Sequence, residues 1–274
     1  MPTNPFDLTG KVAVITGGTG VLGSAMTKAL AGAGATVVPL ARTEANAKAL
    51  ADEITATGGM ALGIAADVLD KAALEQARET VIGAYGKVDI LLNGAGGNRP
   101  EATAVPGQRT FFDLPEEALQ WVFNLNFTGS IMAAQVFGKP MTEQGSGVIL
   151  NISSMAADRS LTRVLAYGGA KAAINNFTHW LAVYMAKEHS PNIRVNAIAP
   201  GFYLGEQNRF LLIDEKTGNL TPRGQLIIDH TPMARFGVPD DLSGTLLWLA
   251  SDASRFVTGI VVPVDGGFSA YSGV

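Results

Sequence analysis

Lys11-Val12-Ala13-Val14-Ile15-Thr16-Gly17-Gly18-Thr19-Gly20-Val21-Leu22-Gly23 joins an apolar run to a glycine cluster, and a segment of helical period follows from about Leu22 to Ala33. A strand that enters a Gly-rich turn and leaves as a helix aims backbone amides and the positive helix end past the strand, which makes a pyrophosphate cradle. Glycines alone also serve ordinary tight turns; the flanking strand and helix are what make this cluster specific. Its expected contacts are Gly17, Thr19, Gly20, Val21 and Leu22.

Outward from this unit the same alternation repeats. Further apolar runs at Thr36–Ala41, Met60–Ala65, Val88–Leu92, Gly147–Ile152, Ile193–Ile198 and Ile260–Val264 read as strands. Helical segments lie between them at Glu44–Thr57, Asp70–Tyr85, Pro115–Glu143, Leu165–Glu188 and Asp240–Ser251. Strands alternating with helices predict an α/β fold, here one doubly wound Rossmann-type domain over residues 1–274 with seven parallel strands. Two connections are long, residues 97–114 and 201–239, and both leave the carboxyl ends of strands, where open α/β sheets bind ligands. Tolerated surface insertions are the plainer explanation of such loops.

Composition narrows the class. The 20 basic and 24 acidic residues give a net charge of -4 with no Lys/Arg block, so no nucleic-acid footprint is present. There is no cysteine, and His179, His189 and His230 lack ligand spacing, so no metal is expected. Residues Met1–Gly10 lack a signal-peptide pattern, and no apolar stretch approaches the ~18 residues of a membrane span, so a soluble cytoplasmic protein without a membrane partner is the expectation.

Asp67, past the third strand, suits an adenine amino group, although capping the next helix would equally explain it. At the end of the second strand Ala41 stands where a carboxylate would bind a ribose 2′-hydroxyl, and Arg42 and Thr43 follow. A guanidinium and a hydroxyl in place of an acid suit a 2′-phosphate, which favours NADP over NAD. A solvated Arg42 with use of either cofactor is the alternative.

Tyr167-Gly168-Gly169-Ala170-Lys171 follows Ser154 by thirteen residues. Residues four apart share a helix face, so the Lys171 ammonium is expected to favour the Tyr167 phenolate and lower a pKa that is ordinarily about 10. That would be an acid/base near neutrality, with Ser154 polarising the oxygen that exchanges the proton. Strand alternation lets only one of Ser153 and Ser154 face the site.

Between Leu8 and Gly267 the chain resembles the short-chain dehydrogenase/reductases. The resemblance is carried by the Gly-rich turn, Asn93-Gly94-Ala95-Gly96, Asn126, Ser154, Tyr167, Lys171 and Pro200-Gly201, all in family order. It implies catalytic roles for Asn126, Ser154, Tyr167 and Lys171, with Asn126 helping to hold a water and Lys171 chain. It also implies that Val68, Asn93, Ala95, Gly96, Pro200 and Gly201 border the dinucleotide, that Lys171 binds the nicotinamide ribose, and that subunits pair as dimers or tetramers through the apolar helix after Tyr167. Two places depart from the family: Val21 replaces a usual glycine, and Phe202-Tyr203-Leu204 stands where a threonine is common.

The segments Gly94–Thr103 and Gly201–Leu212 look like the branch of D-mannonate oxidoreductases, or fructuronate reductases. A sugar-acid substrate is thereby implied, and its carboxylate needs a cation. Arg99 is the first choice, ahead of Arg109, Arg159, Arg163 and Arg209, with Asn98, Gln207 and Asn208 available for hydroxyls and Ser154 and Tyr167 at the carbonyl. The segment Phe202–Pro232 has the length and composition of a lid. Reduction of a keto-gluconate or a 3-oxoacyl thioester is the rival activity. A silent nucleotide-binding regulator is the rival class, which has no physical need for the whole catalytic set.

Overall fold

Strand β1 (Val12–Thr16) is buried at every position, and its side chains alternate between two cores. Val12 and Val14 join one cluster while Ala13 and Ile15 join the other, as expected of a parallel strand covered on both faces. The computed structural model describes residues 4–205, 209 and 211–273. Its other strands are β2 (Thr36–Ala41), β3 (Met60–Ala61), β4 (Ile64–Ala65), β5 (Ile90–Asn93), β6 (Gly147–Ile152), β7 (Ile193–Pro200) and β8 (Val261–Val264). They form one parallel sheet in the order β3-β2-β1-β5-β6-β7-β8, with β4 also paired to β2.

Helices α1 (Val21–Gly32) and α2 (Glu44–Ala56) cover one face with α8 (Ser243–Ala250), through Met26, Leu30, Leu50, Ile54, Leu246 and Leu249. Helices α3 (Lys71–Tyr85), α5 (Gly129–Gln144) and α6 (Leu165–Tyr184) cover the other through Leu74, Val81, Phe137, Met141 and Leu181. This is the expected doubly wound Rossmann-type α/β domain. Its chain reverses direction of winding between β1 and β5, so a crevice opens at their carboxyl ends.

Three elements differ from the sequence expectation. The single strand Met60–Ala65 is two short strands, giving eight rather than seven among the described residues. Its interruption sits at Gly63, where a Cβ would lie 2.2 Å from the Ala47 carbonyl oxygen, so the backbone of α2 occupies the space a side chain would need. The long helix Pro115–Glu143 is α4 (Glu116–Phe123) and α5, joined by a π-helical turn at Asn124–Thr128 with Asn126 fully buried within it. The 201–239 connection contains a helix, α7 (Pro222–Asp229), started by Pro222 and by the Thr221 hydroxyl accepting the Gly224 amide at 3.0 Å.

Candidate active site

The Gly-rich turn is built by close backbone approach. Gly17 has φ 63°, and a Cβ there would lie 2.7 Å from Ala95 Cα. A Cβ on Gly23 would lie 2.1 Å from the Gly17 carbonyl oxygen, so α1 begins directly against the turn. The helix has Gly20 at its N-cap, no side-chain cap and no acidic residue in its first turn. Its leading amides and positive end therefore face the crevice without a competing side chain, as a pyrophosphate requires.

The crevice has a volume of about 630 Å³. Its lining includes Gly17, Thr19, Gly20, Val21, Leu22, Arg42, Asp67, Val68, Ala95, Gly96, Tyr167 and Lys171, all expected cofactor contacts. Asn46 and Trp121 also line it, and sequence reasoning missed both because neither belongs to a Gly-rich or strand-end motif. Asp67 closes a turn by accepting the Leu69 amide at 2.9 Å, while Asp70 caps α3, so capping does not account for Asp67. Arg42 is exposed and has no ion pair among the described residues, and Thr43 makes no side-chain cap bond to α2. Both remain available to an anion at the end of β2.

Asn93 is placed differently. Its side chain lies beneath the crevice, 2 % exposed, and donates to Asn151 Oδ1 at 2.8 Å. It ties β5 to β6 and does not line the crevice.

Adjoining the crevice is a cavity of about 300 Å³ lined by Val21, Ser154, Tyr167, Pro200, Gly201 and Phe202 among others. Ser154 follows β6, Tyr167 and Lys171 lie on the first turns of α6, and Ser154 and Tyr167 line this cavity together. The Ser153 hydroxyl is bonded to the Asn175 side chain and the Lys171 carbonyl, although Ser153 borders the same cavity. Lys171 Nζ donates to the Ile152 carbonyl at 2.7 Å and lies 5.5 Å from the centre of the Tyr167 ring. Asn126 accepts from the Gly97 amide at 3.1 Å and donates to the Gly97 carbonyl at 2.7 Å and the Val122 carbonyl at 2.8 Å. Its side chain thus fixes the start of the 97–114 loop beside Lys171, with both amide hydrogens used and one acceptor site of Oδ1 occupied. A Cβ on Gly96 would lie 2.6 Å from Asn126 Oδ1 and 3.3 Å from Lys171 Nζ, so a side chain there would crowd both groups.

The electrostatics correct one expectation. The Tyr167 phenol is pushed above its ordinary value by burial, with the Ser154 hydroxyl opposing the rise. Lys171 does not dominate because its ammonium is itself buried, which brings its own pKa down to about 8. Between pH 8 and 10.5 the unfolded chain holds the Lys171 proton and the folded chain releases it. The cost of burying that charge, full below pH 8, is therefore removed as pH rises through this window. The stability of the wild type relative to Lys171→Met should increase by on the order of 2 kcal/mol from pH 7.5 to 10.5, read by urea unfolding. A pH-independent difference would contradict a buried ammonium.

The expected carboxylate ligands separate on inspection. Arg99 Nε is 3.1 Å from Glu101 Oε2, and its guanidinium lies 4.8 Å from the Trp121 ring centre. Arg109 donates to the Pro100 carbonyl at 2.6 Å, and Arg159 to the Ser269 carbonyl at 2.6 Å. Arg99, the first choice, is thus engaged by its own loop; the sequence places it after a strand end but does not show that Glu101 folds back on it. Asn98 does line the crevice. Arg209 is exposed, and Gln207 and Asn208 lie outside the described residues. In the expected lid, Gly205 approaches Val21 so closely that a Cβ would be 3.2 Å from Val21 Cγ1, bringing this loop over the start of α1. Among the described residues no cluster of three or more His, Cys, Asp or Glu is arranged to hold a metal, and no helix is long and apolar enough to cross a membrane.

The comparisons with known proteins agree with this geometry. The short chain dehydrogenase family model matches residues 11–213. An uncharacterized oxidoreductase, UxuB, of Bacillus subtilis (strain 168) is 54% identical over 98% of both chains. A crystal structure from Haemophilus influenza, provisionally assigned as a D-mannonate oxidoreductase and holding NAD, is 46% identical over 98% of both chains with a TM-score of 0.92. A gluconate 5-dehydrogenase from Burkholderia cenocepacia J2315, in complex with NADP and tartrate, is 30% identical over 97% of this chain and 98% of that one, with a TM-score of 0.87. The protein is an oxidoreductase and belongs to the short-chain dehydrogenase family.

Proposed function

We propose that the protein interconverts a sugar-acid ketone and its secondary alcohol, D-fructuronate and D-mannonate, using a nicotinamide dinucleotide with NADP ahead of NAD. The observation that carries the reaction type is the meeting of Ser154 and Tyr167 in one cavity beside buried Lys171, next to a crevice lined by the start of α1. The bound dinucleotide would supply or accept hydride at the carbonyl carbon. Tyr167 gives the carbonyl oxygen its proton in reduction and takes it back in oxidation. Ser154 hydrogen-bonds the same oxygen as charge develops on it. Lys171, held by the Ile152 carbonyl, presents its ammonium to the phenol and to the ribose, and Asn126 positions the loop beside it. The α1 amides and Thr19 hold the pyrophosphate, Asp67 and Val68 border the adenine, Pro200 and Gly201 border the nicotinamide, and Arg42 binds the 2′-phosphate.

Sugar-acid specificity is supported by the names of two relatives, a provisional D-mannonate oxidoreductase and a gluconate 5-dehydrogenase that holds tartrate. Steady-state rates with D-fructuronate, 5-keto-D-gluconate and a 3-oxoacyl thioester test it. The uronate is expected to lead in kcat/KM by about 10-fold or more, and a lead by either competitor would replace it. Arg42→Ala should lower the ratio of kcat/KM with NADPH to that with NADH by about 10-fold, the size of one charged hydrogen-bonded contact. An unchanged ratio would show Arg42 to be only a solvated surface residue. A homo-oligomer is supported by the face of α6 that leaves Trp180, Val183 and Tyr184 exposed in the single chain.

A further inference from the structure

Two cavities share an aromatic wall. The cavity beside Ser154 and Tyr167 is lined by Phe202 and Tyr203, and the same two residues line a second cavity of about 220 Å³, together with Thr231, Met233, Asp241 and Asp265 among others. Tyr203 is buried, and its hydroxyl donates to the Val264 carbonyl at 3.0 Å, so the sheet holds that ring. Phe202 is half-buried and is steadied by a ring from the C-terminal segment instead: Phe268 meets it edge-on, with centroids 5.2 Å apart. Phe268 also meets the ring of His230, the C-cap of α7, at 4.8 Å, and Tyr271 meets His230 at 5.1 Å. Ring edges against ring faces hold one another more firmly than their contact area alone would.

The turn that carries Phe268 is fixed from several sides. Asp265 follows β8 and its carboxylate accepts the Gly267 and Ser269 amides at 2.9 Å each, the way an Asp side chain locks a tight turn. A Cβ on Gly201 would lie 2.6 Å from Asp265 Cα, so the turn presses on the residue before Phe202. The Gly266 carbonyl accepts the Met233 amide at 3.1 Å, just beyond the expected lid segment. Arg159, in the segment between Ser154 and Tyr167, donates twice to the Ser269 carbonyl, at 2.9 and 2.6 Å. One C-terminal turn therefore contacts the end of β7, the end of the lid segment and the catalytic segment. Phe268 lines neither cavity, so whatever it does to a bound ketone it does through Phe202.

We propose that Phe268 is a positioning residue for the substrate: packed on Phe202, it holds that ring as the wall that closes the cavity beside Ser154 and Tyr167 from the second cavity and grips the ketone there. This rests on reading the first cavity as the place of the substrate carbonyl. Phe202 begins the stretch that stands where the family commonly has a threonine, so this chain confines its ketone with an aromatic wall anchored by its own C-terminal turn.

The test is a double-mutant cycle on kcat/KM with Phe202→Ala, Phe268→Ala and the pair, and with Phe268→Tyr as the variant that keeps the ring. The ketone is whichever of D-fructuronate and 5-keto-D-gluconate the wild type turns over faster, so a wrong substrate name leaves the cycle readable. NADPH binding, followed by nicotinamide fluorescence, reports that each variant is folded, and its Kd should stay within about twofold of wild type. If Phe268→Ala loses NADPH binding, Phe268→Leu takes its place. Each alanine variant should lower kcat/KM by about 10-fold, mostly through KM. In the Phe202→Ala background Phe268→Ala should cost less than about twofold more, because the ring it steadied is gone. Phe268→Tyr should stay within about twofold of wild type. Additive losses in the pair overturn the proposal, because Phe268 then acts by a route other than Phe202. So does a fall in kcat at unchanged KM, the mark of lost active enzyme. An unchanged kcat/KM in Phe268→Ala also overturns it and leaves the reaction type, which depends on Tyr167, standing.

Discussion

Replacement of Tyr167 by phenylalanine should lower kcat/KM for ketone reduction by on the order of 10³ while leaving NADPH affinity and thermal stability close to wild type. The ring packs with Trp121 against the small cluster of Ala102, Ala118 and Val122, and phenylalanine keeps that contact. What is lost is the phenolic hydroxyl of a residue that shares its cavity with Ser154. Burial also sets the pH behaviour, because it holds the phenol above its ordinary value. Reduction needs the protonated phenol and should be flat through neutral pH, whereas oxidation needs the phenolate and should rise steadily toward alkaline pH. Stopped-flow and steady-state rates in both directions measure these profiles. Turnover of Tyr167→Phe within about threefold of wild type would remove tyrosine from the mechanism.

A methyl group on Gly23 should be nearly as damaging, by a different route. The atoms it would strike are backbone: the Gly17 oxygen at 2.1 Å, the Gly17 carbonyl carbon at 3.1 Å and Gly18 Cα at 3.2 Å. None can yield by changing a rotamer, and Gly17 cannot retreat because its own Cα position is closed in by Ala95 and Gly94. Gly23→Ala must therefore push α1 off the turn and move the amides that form the cradle. NADPH Kd is expected to rise by about 100-fold or more, with a loss of stability of about 1–3 kcal/mol. Gly32→Ala on the same helix is the control: nothing lies within 4 Å of that Cβ, and the change should be neutral or slightly stabilising. Equal coenzyme affinity in Gly23→Ala and Gly32→Ala would contradict the turn as described.

Much of this could be read along the chain because it is local. A strand, a glycine turn and a helix at residues 11–33 state their geometry within one unit, and Tyr167 and Lys171 share a face through helix periodicity alone. That only one of Ser153 and Ser154 can face the site follows from alternation at a strand end, while the preference for Ser154 comes from the family resemblance. Asn93 was harder, since a residue at a strand end can point up into the crevice or down onto the neighbouring strand, and its contact with Asn151 decides for the latter.

Tertiary structure alone decided the pairing of charges and the cost of burying them. Arg99 looked free in the sequence and is taken by Glu101 and by the Trp121 ring of α4. Lys171 was expected to make Tyr167 more acidic, yet burial acts on both groups and reverses the sign. Periodicity and turn chemistry depend on a few neighbouring residues and are written in their order, so the fold and the proposed catalytic trio belong to the sequence by itself. Desolvation and charge pairing depend on what distant segments bring into the same few ångströms, and only the folded chain determines that.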